Sequence, residues 1–309
     1  MEFFRKVSSF PFMRYATAVS SVSVLLVVIS VVSLFTRGLN LGIDFTGGVL
    51  LEVGYKAEAD LEQIRSRLGA GGYPDAQVQN FGTPRDVLVR LPPRENAGSI
   101  QLKEQLTAAL GVSEEQVRRI EFVGPQVGKD LTEQGTLSVL AALALILLYV
   151  MLRFQWKFAL GAVLATAHDA IVTIGVFSVF WLPFDLSVVA AVLAIVGYSL
   201  NDTVVVFDRI RDNFRSARKG PVADLINRSV NETLSRTILT SLLTLLVVVA
   251  LLVFGGEALR GFSTALAFGI VFGTYSSIYI GSAIAFFLKV TPQDLLPVQK
   301  DDDKIDDMP

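Results

Sequence analysis

The sequence predicts a polytopic α-helical membrane protein: six transmembrane helices, with a small α+β domain of ferredoxin-like βαββαβ order on the periplasmic side between helices 1 and 2. Three observations predict it. With 52% hydrophobic and only 18% charged residues and a mean hydropathy of +0.53, the chain is too apolar for an ordinary soluble domain. Six apolar stretches reach the roughly 20 helical residues that cross a bilayer. Between the first two lies a polar segment in which strand-like alternation and helix-like periodicity take turns.

The first stretch, 15–36, follows Arg5, Lys6 and Arg14 and ends in "SLFTRGLN", without a small-residue cleavage site, so it reads as a retained anchor behind a short N-terminus, 1–14. The outer segment, 37–133, then reads as strand "GGVLLEVGY", helix "DLEQIRSRLG", strands "AQVQNFG" and "DVLVRLPP", helix "SIQLKEQLTAAL" and strand "VRRIEFVG". Such a segment is long enough to bury a core of its own. Further spans fall near 134–152, 158–182, 185–207, 230–254 and 262–288, a five-helix bundle over 134–288. The tail, 289–309, is acidic and carries proline, the composition of a disordered end. Basic residues precede span one, Arg153 and Lys157 separate spans two and three, and a run of Lys and Arg extends from Arg209 to Arg236, whereas the opposite short loops hold only Arg260. By the positive-inside rule both termini are cytoplasmic and the long outer segment is external.

Several function classes fall away. A net charge of −2 leaves no basic footprint for nucleic acid. Without cysteine there are no disulfides and no thiol chemistry, and one histidine makes a His-based metal cluster improbable, so no cofactor or metal is expected. "DFTGGVLLE" has glycines but neither the lysine nor the hydroxyl of a phosphate-binding loop. A membrane protease would need a Ser/His pair or two facing Asp residues in a glycine setting, and neither is evident, so the chain reads as no enzyme. The remaining energy source is the ion gradient, worth about 2.3 kcal/mol per charge per 100 mV.

The polar residues inside the spans are the candidates for handling that ion. An Asp or Arg at mid-helix costs about 2.5–3.5 kcal/mol on insertion scales, and intramembrane carboxylates mark ion pathways. Three places stand out: His168 with Asp169 in span three, Asn201 with Asp202 in span four, and Arg236 in span five. Counting about 1.5 Å per residue from the nearest basic loop residue puts Asp202 and Arg236 at a common depth, roughly 10–12 Å inside, with His168 and Asp169 about a turn deeper. Burial favours a neutral carboxylate and a neighbouring guanidinium favours a charged one, so moving Arg236 against Asp202 would load or release a proton; the bland alternative is a static ion pair, with His168 and Asp169 as helix-to-helix glue. Sodium would suit the same groups.

Three segments in register, "GLNLGIDFTGG" at 38–48, "VGPQVGKDL" at 123–131 and "GYSLNDTVVVFDRIRDN" at 197–213, resemble the signature regions of the SecF family, the smaller subunits of the bacterial SecD-SecF protein-export complex. The resemblance covers essentially the whole chain. It implies a proton-motive-force-driven accessory to the Sec translocon (SecYEG), related to the resistance-nodulation-division transporters, that acts with SecD on an unfolded preprotein. It also implies that Asp202 is the relay carboxylate and Arg236 the membrane arginine, with a further Asp supplied by SecD. Gly42, Gly47, Gly48, Gly124, Pro125 and Gly128 lie where the outer domain meets the membrane; they read equally as a hinge and as ordinary turn chemistry. The rival functions are a scaffold that only stabilises the translocon and a half-transporter that exports a lipid or small molecule.

Overall fold

The computed structural model describes residues 8–93, 99–216 and 220–290. The first residues of the expected cytoplasmic N-terminus and nearly all of the acidic tail lie outside them. Six helices are long and apolar enough to cross a membrane. They are α1 (Ala16–Thr36, entered through a short 3-10 turn at Phe12–Tyr15), α5 (Pro125–Arg153), α6 (Trp156–Val179), α7 (Leu186–Ser216), α8 (Val222–Phe254) and a last one made of α9 (Arg260–Ile278) and α10 (Ile280–Phe287). Several outrun the hydrophobic stretches that announce them: α5 starts at Pro125 and α7 continues to Ser216, because polar turns can extend a helix into water once the apolar part has nucleated it.

The bundle has an inside and an outside. Helices α6, α7 and α9–α10 are largely buried, whereas α1, α5 and α8 turn most of their apolar surface outward. In hydrocarbon that surface costs nothing, since lipid tails are as apolar as leucine, and it can equally meet other membrane helices. The buried helices approach closely where side chains are missing. A Cβ on Gly269 of α9 would overlap the side chain of Ile195 on α7, and one on Gly175 of α6 would overlap Ser30 of α1. Near the inner end, Phe154, Phe158 and Phe207 pack edge to face, and Phe158 and Phe207 are fully buried.

Between α1 and α5 lie β1 (Asn40–Leu41), α2 (Ile43–Thr46), β2 (Gly48–Gly54), α3 (Leu61–Ala70), β3 (Gln77–Phe81), β4 (Thr83–Leu91), α4 (Ser99–Leu110) and β5 (Val117–Val123). Strands β2 to β5 form one antiparallel sheet in the order β3-β4-β2-β5. Helix α3 starts where Asp60 Oδ1 accepts from the backbone N–H of Glu62 and Gln63, a side-chain cap. Ile64 and Leu68 of α3, and Leu102, Leu106 and Leu110 of α4, recur at helical spacing and bury against Leu51, Val53, Val87 and Val89 of the two central strands. That is a closed core, separate from the membrane bundle's own clusters.

The outer segment and the bundle meet at a second, two-stranded sheet. Strand β1 pairs in parallel with β6 (Pro183–Phe184), the strand that leads directly into α7. Gly42 N–H donates to the Phe184 carbonyl at 2.7 Å, and Asp44 Oδ2 accepts from Leu186 N–H at 2.9 Å. The glycines here serve close approach: a Cβ on Gly128 of α5 would lie 2.8 Å from Gly47 N, and Gly48, at φ +119°, has no room for one against the Leu91 carbonyl.

Replacing Gly269 by Ala should therefore push α9 off α7 and cost about 1–3 kcal/mol, the usual range for overpacking. Thermal unfolding in detergent reads the loss. Adding Ile195→Ala to the same chain should recover much of it, and an unshifted Gly269→Ala protein would mean the two helices are not held at this distance.

Candidate membrane ion site

The polar side chains gather on the facing sides of α6, α7 and α9. Asp169 of α6 is fully buried at their crossing. Its Oδ2 accepts hydrogen bonds from Ser199 Oγ of α7 and, at 2.6 Å, from Ser276 Oγ of α9, while its Oδ1 lies 2.9 Å from His168 Nδ1. The site exists because the surroundings are small: a Cβ on Gly273 would touch Ser199 and come within 3.7 Å of Asp169 Oδ2. His168 stacks obliquely near Tyr275, whose hydroxyl bonds Ser23 and the Val19 carbonyl of α1. The ring's Nε2 is buried with no hydrogen-bond partner among the described residues. Ala162, Thr166, Asp169 and Thr173, at helical spacing on α6, are all buried, so this stripe faces the other helices.

Asp202 lies one turn further along α7, three residues after Ser199, and is also buried. Its environment differs in kind. Oδ2 is enclosed without any hydrogen-bond partner among the described residues, while the neighbouring turn is stitched to α9 by Thr203 Oγ1 to Ser277 Oγ and Ser277 Oγ to the Ser199 carbonyl, both at 3.2 Å. The Arg236 guanidinium of α8 acts on Asp202 electrostatically, yet the two side chains do not form an ion pair. Arg236 is exposed on the outside of the bundle although Thr233 and Thr237, either side of it, are buried. Asn201 is exposed as well. The structure therefore brings Asp202 and Asp169 onto one continuous polar seam, places Arg236 at its edge facing out of the chain, and leaves Asn201 off it.

Sequence reasoning did not find Ser276, because in the run Thr274 to Ser277 a small hydroxyl carries no signal beyond its helical phase to say which one meets a carboxylate. Below the seam, Arg209 and Arg228 both engage Glu232, at 2.7 and 2.9 Å, and Arg153 engages Asp208 at 2.9 Å, so the run of charge after Asp202 is committed to holding α7 against α8 and α5. Among the described residues no three His, Asp or Glu side chains converge as a metal set. The six junction residues cluster as packed backbone: Gly42 against Phe184 and Asp185, Gly47 against Pro125, Gly128 against Gly47, and Gly124 as the residue before Pro125 at the start of α5.

Comparison with known proteins gives this arrangement a family. The model for the C-terminal region of the protein export membrane proteins SecD and SecF matches residues 102–291, and the SecD/SecF GG motif matches residues 32–59. The protein translocase subunit SecF of Vibrio alginolyticus is 51% identical over 303 residues, covering 96% of both chains. That of Pseudomonas aeruginosa is 50% identical, covering 98% of this chain and 99% of the relative. The crystal structure of SecDF from Thermus thermophilus, a translocon-associated membrane protein, superposes with a TM-score of 0.83 at 41% identity over 91% of this chain, which spans only 39% of that longer one. SecDF in its super-membrane-facing form gives a TM-score of 0.68 over 93% of this chain. The chain is a multi-pass membrane protein and belongs to the SecF family of protein translocase subunits.

Proposed function

We propose that this chain is the SecF half of a proton-driven accessory to protein export, working with SecD beside the SecYEG translocon to draw an unfolded preprotein across the bacterial inner membrane. Both termini lie in the cytoplasm and the antiparallel domain, ferredoxin-like in strand order, lies in the periplasm. The observation that carries the reading is the contrast between two buried carboxylates on neighbouring helices. Asp169 is held by two serine hydroxyls and a histidine. Asp202 has a buried oxygen without a hydrogen-bond partner among the described residues, and a guanidinium that acts on it without bonding it. A group that gains and loses H⁺ must be stable in both states, and a carboxyl oxygen without fixed donors can carry the proton without first breaking bonds. Asp202 is thus the relay carboxylate. Asp169 and His168 are the fixed tie behind it, and Asn201 borders the site without entering it. Arg236, facing out of the bundle, is placed to answer to SecD as well as to Asp202, which suits an ion site at the interface of two pseudo-symmetric halves.

A scaffold role is the second reading, and the saturated Asp169 favours it, since a carboxylate so held serves well as helix-to-helix glue. The two divide on the gradient: a scaffold supports export equally with and without a proton uncoupler once the ATP-driven stage is complete.

Asp202→Asn should assemble with SecD and unfold at the parent temperature, yet lose gradient-dependent export in vesicles reconstituted with SecD and the translocon. Unchanged export there would overturn the motor reading. Asp169→Ala should act on stability instead, costing about 1–3 kcal/mol as two buried serines lose their acceptor, read as a lower unfolding temperature in detergent.

A further inference from the structure

At the outer end of α7 a buried cation joins the periplasmic sheet to the membrane helices. Arg90, on the central strand β4, is only 9% exposed. Its Nη1 donates to Asn40 Oδ1 at 2.8 Å and reaches the Leu41 carbonyl at 3.4 Å, both on the short strand that pairs with β6. Two carboxylates act on it electrostatically, Asp185 and Asp44, without forming an ion pair with it. Both are committed to the start of α7: Asp185 Oδ1 accepts from Ser187 Oγ at 2.6 Å and from Val188 N–H at 3.0 Å, and Asp44 Oδ2 accepts from Leu186 N–H. Arg90 Nε is buried and bonded to nothing among the described residues, a donor held in reserve.

We propose that Arg90 is a positioning residue that couples the α7 helix to the periplasmic sheet: the guanidinium of β4, hydrogen-bonded to Asn40 and Leu41 of the strand that pairs with β6 and facing the carboxylates that cap α7, carries displacement of that helix into the outer domain. The inference rests on the motor reading given above. It adds the route by which an event at Asp202, on α7, reaches the periplasm. Alternative routes through α1 or α5 run down helices that turn most of their apolar surface outward, whereas α7 has a long buried face continuous from the caps to Asp202 and beyond. Burial pulls the Arg90 pKa below the ordinary arginine range, while Asp185 and then Asp44 pull the other way, so the cost of holding this cation under the sheet is offset by the two groups that cap α7. The sheet also has somewhere to go. A cleft of about 500 Å³ separates the β3–β4 turn, Gln79 to Gly82, from the outer ends of α6 and α9, and Asp185 and Arg260 line it. Arg260 is the further charge near the caps, on the helix packed against α7.

The test uses the full chain with SecD and the translocon in vesicles, measuring proton flux and gradient-dependent export separately. Arg90→Gln should leave SecD co-purification, unfolding temperature and proton flux at parent values and abolish the gradient-dependent increment of export, with Arg90→Lys restoring part of it. Asp185→Asn with Asp44→Asn keeps both caps, since an asparagine oxygen still accepts, and removes only the charges. That pair should lose the same increment, and combining it with Arg90→Gln should lose no more. Full export in Arg90→Gln, or additive losses in the combined chain, would overturn the coupling. So would loss of flux together with export in the cap-preserving pair, since the cations and caps would then merely hold the fold. If Arg90→Gln fails to fold, the cap-preserving pair decides alone. Failure of the motor reading is separate: there Asp202→Asn would keep its export while the parent's export ignored the gradient.

Discussion

Hydrocarbon offers no donor and no acceptor, so a carboxylate inside a membrane bundle must find its partners on other helices, and the position of Asp169 depends on that constraint. Three donors from three residues converge on it, His168 beside it on α6, Ser199 on α7 and Ser276 on α9. Helices that meet at such a point are fixed in register as well as in distance. The small residues around the crossing follow from the same need, since serine hydroxyls are short and reach a carboxylate only if backbones come close. Gly273 beside Asp169, and Gly269 against Ile195 about one turn away on the same interface, are the places where a side chain would forbid the approach.

From that fixed crossing α7 extends in both directions. Thirty-one residues make a rod of about 46 Å. Its C-terminal part is held by Arg209 and Asn213, both bonded to Glu232 of α8, its middle by Ser199, and its N-terminal end by the parallel β1–β6 bridge and the caps from Asp44 and Asp185. Asp202 lies on the buried face between them with an oxygen that has no hydrogen-bond partner among the described residues. A rod held at the ends and the middle responds to a new charge by a small rotation or tilt about the middle rather than by sliding, and the outer end is where tilt becomes displacement.

What could be read from the chain follows from which physical signals are additive along it. Each bilayer crossing announces itself through some twenty apolar residues, and the price of an ionised group in such a run singles out Asp202, Asp169 and Arg236. The outer elements are legible for a similar reason: "VLLEV" and "VLVRL" alternate, while Leu102, Leu106 and Leu110 repeat every four. The orientation of Arg236 was not legible, because a helix apolar on all sides carries no phase to say which face is lipid. Nor was β1–β6, two residues against two with no alternation to read, although it decides how the domain joins the bundle. Nothing in the alternation of "VLVRL" singles out Arg90. It is buried because Asn40 and Leu41 of β1 cover it on the sheet face opposite α3 and α4, a contact between distant parts of the chain that no local pattern announces.

Magnitudes separate the fixed parts of the bundle from the movable ones. One charge crossing a 100 mV potential releases about 2.3 kcal/mol, and interhelical hydrogen bonds in membrane proteins average about 0.6 kcal/mol, rising to about 1.7 for the best. Undoing the three contacts of Asp169 would consume most or all of a single proton's driving force, leaving little to move a domain. Protonating Asp202, which begins with a free oxygen, consumes no hydrogen bond at all. The same comparison applies at the outer end of α7. There Arg90 is hydrogen-bonded to Asn40 and the short strand of Asn40 is bridged to β6, so that end of α7 is tied by backbone as well as side chain. A proton-driven reading needs strong ties at the ends of α7 and one weakly tied acid along it, and the contrast between the capped end at Asp185, the Arg209–Glu232 pair and the unpartnered oxygen of Asp202 has that distribution.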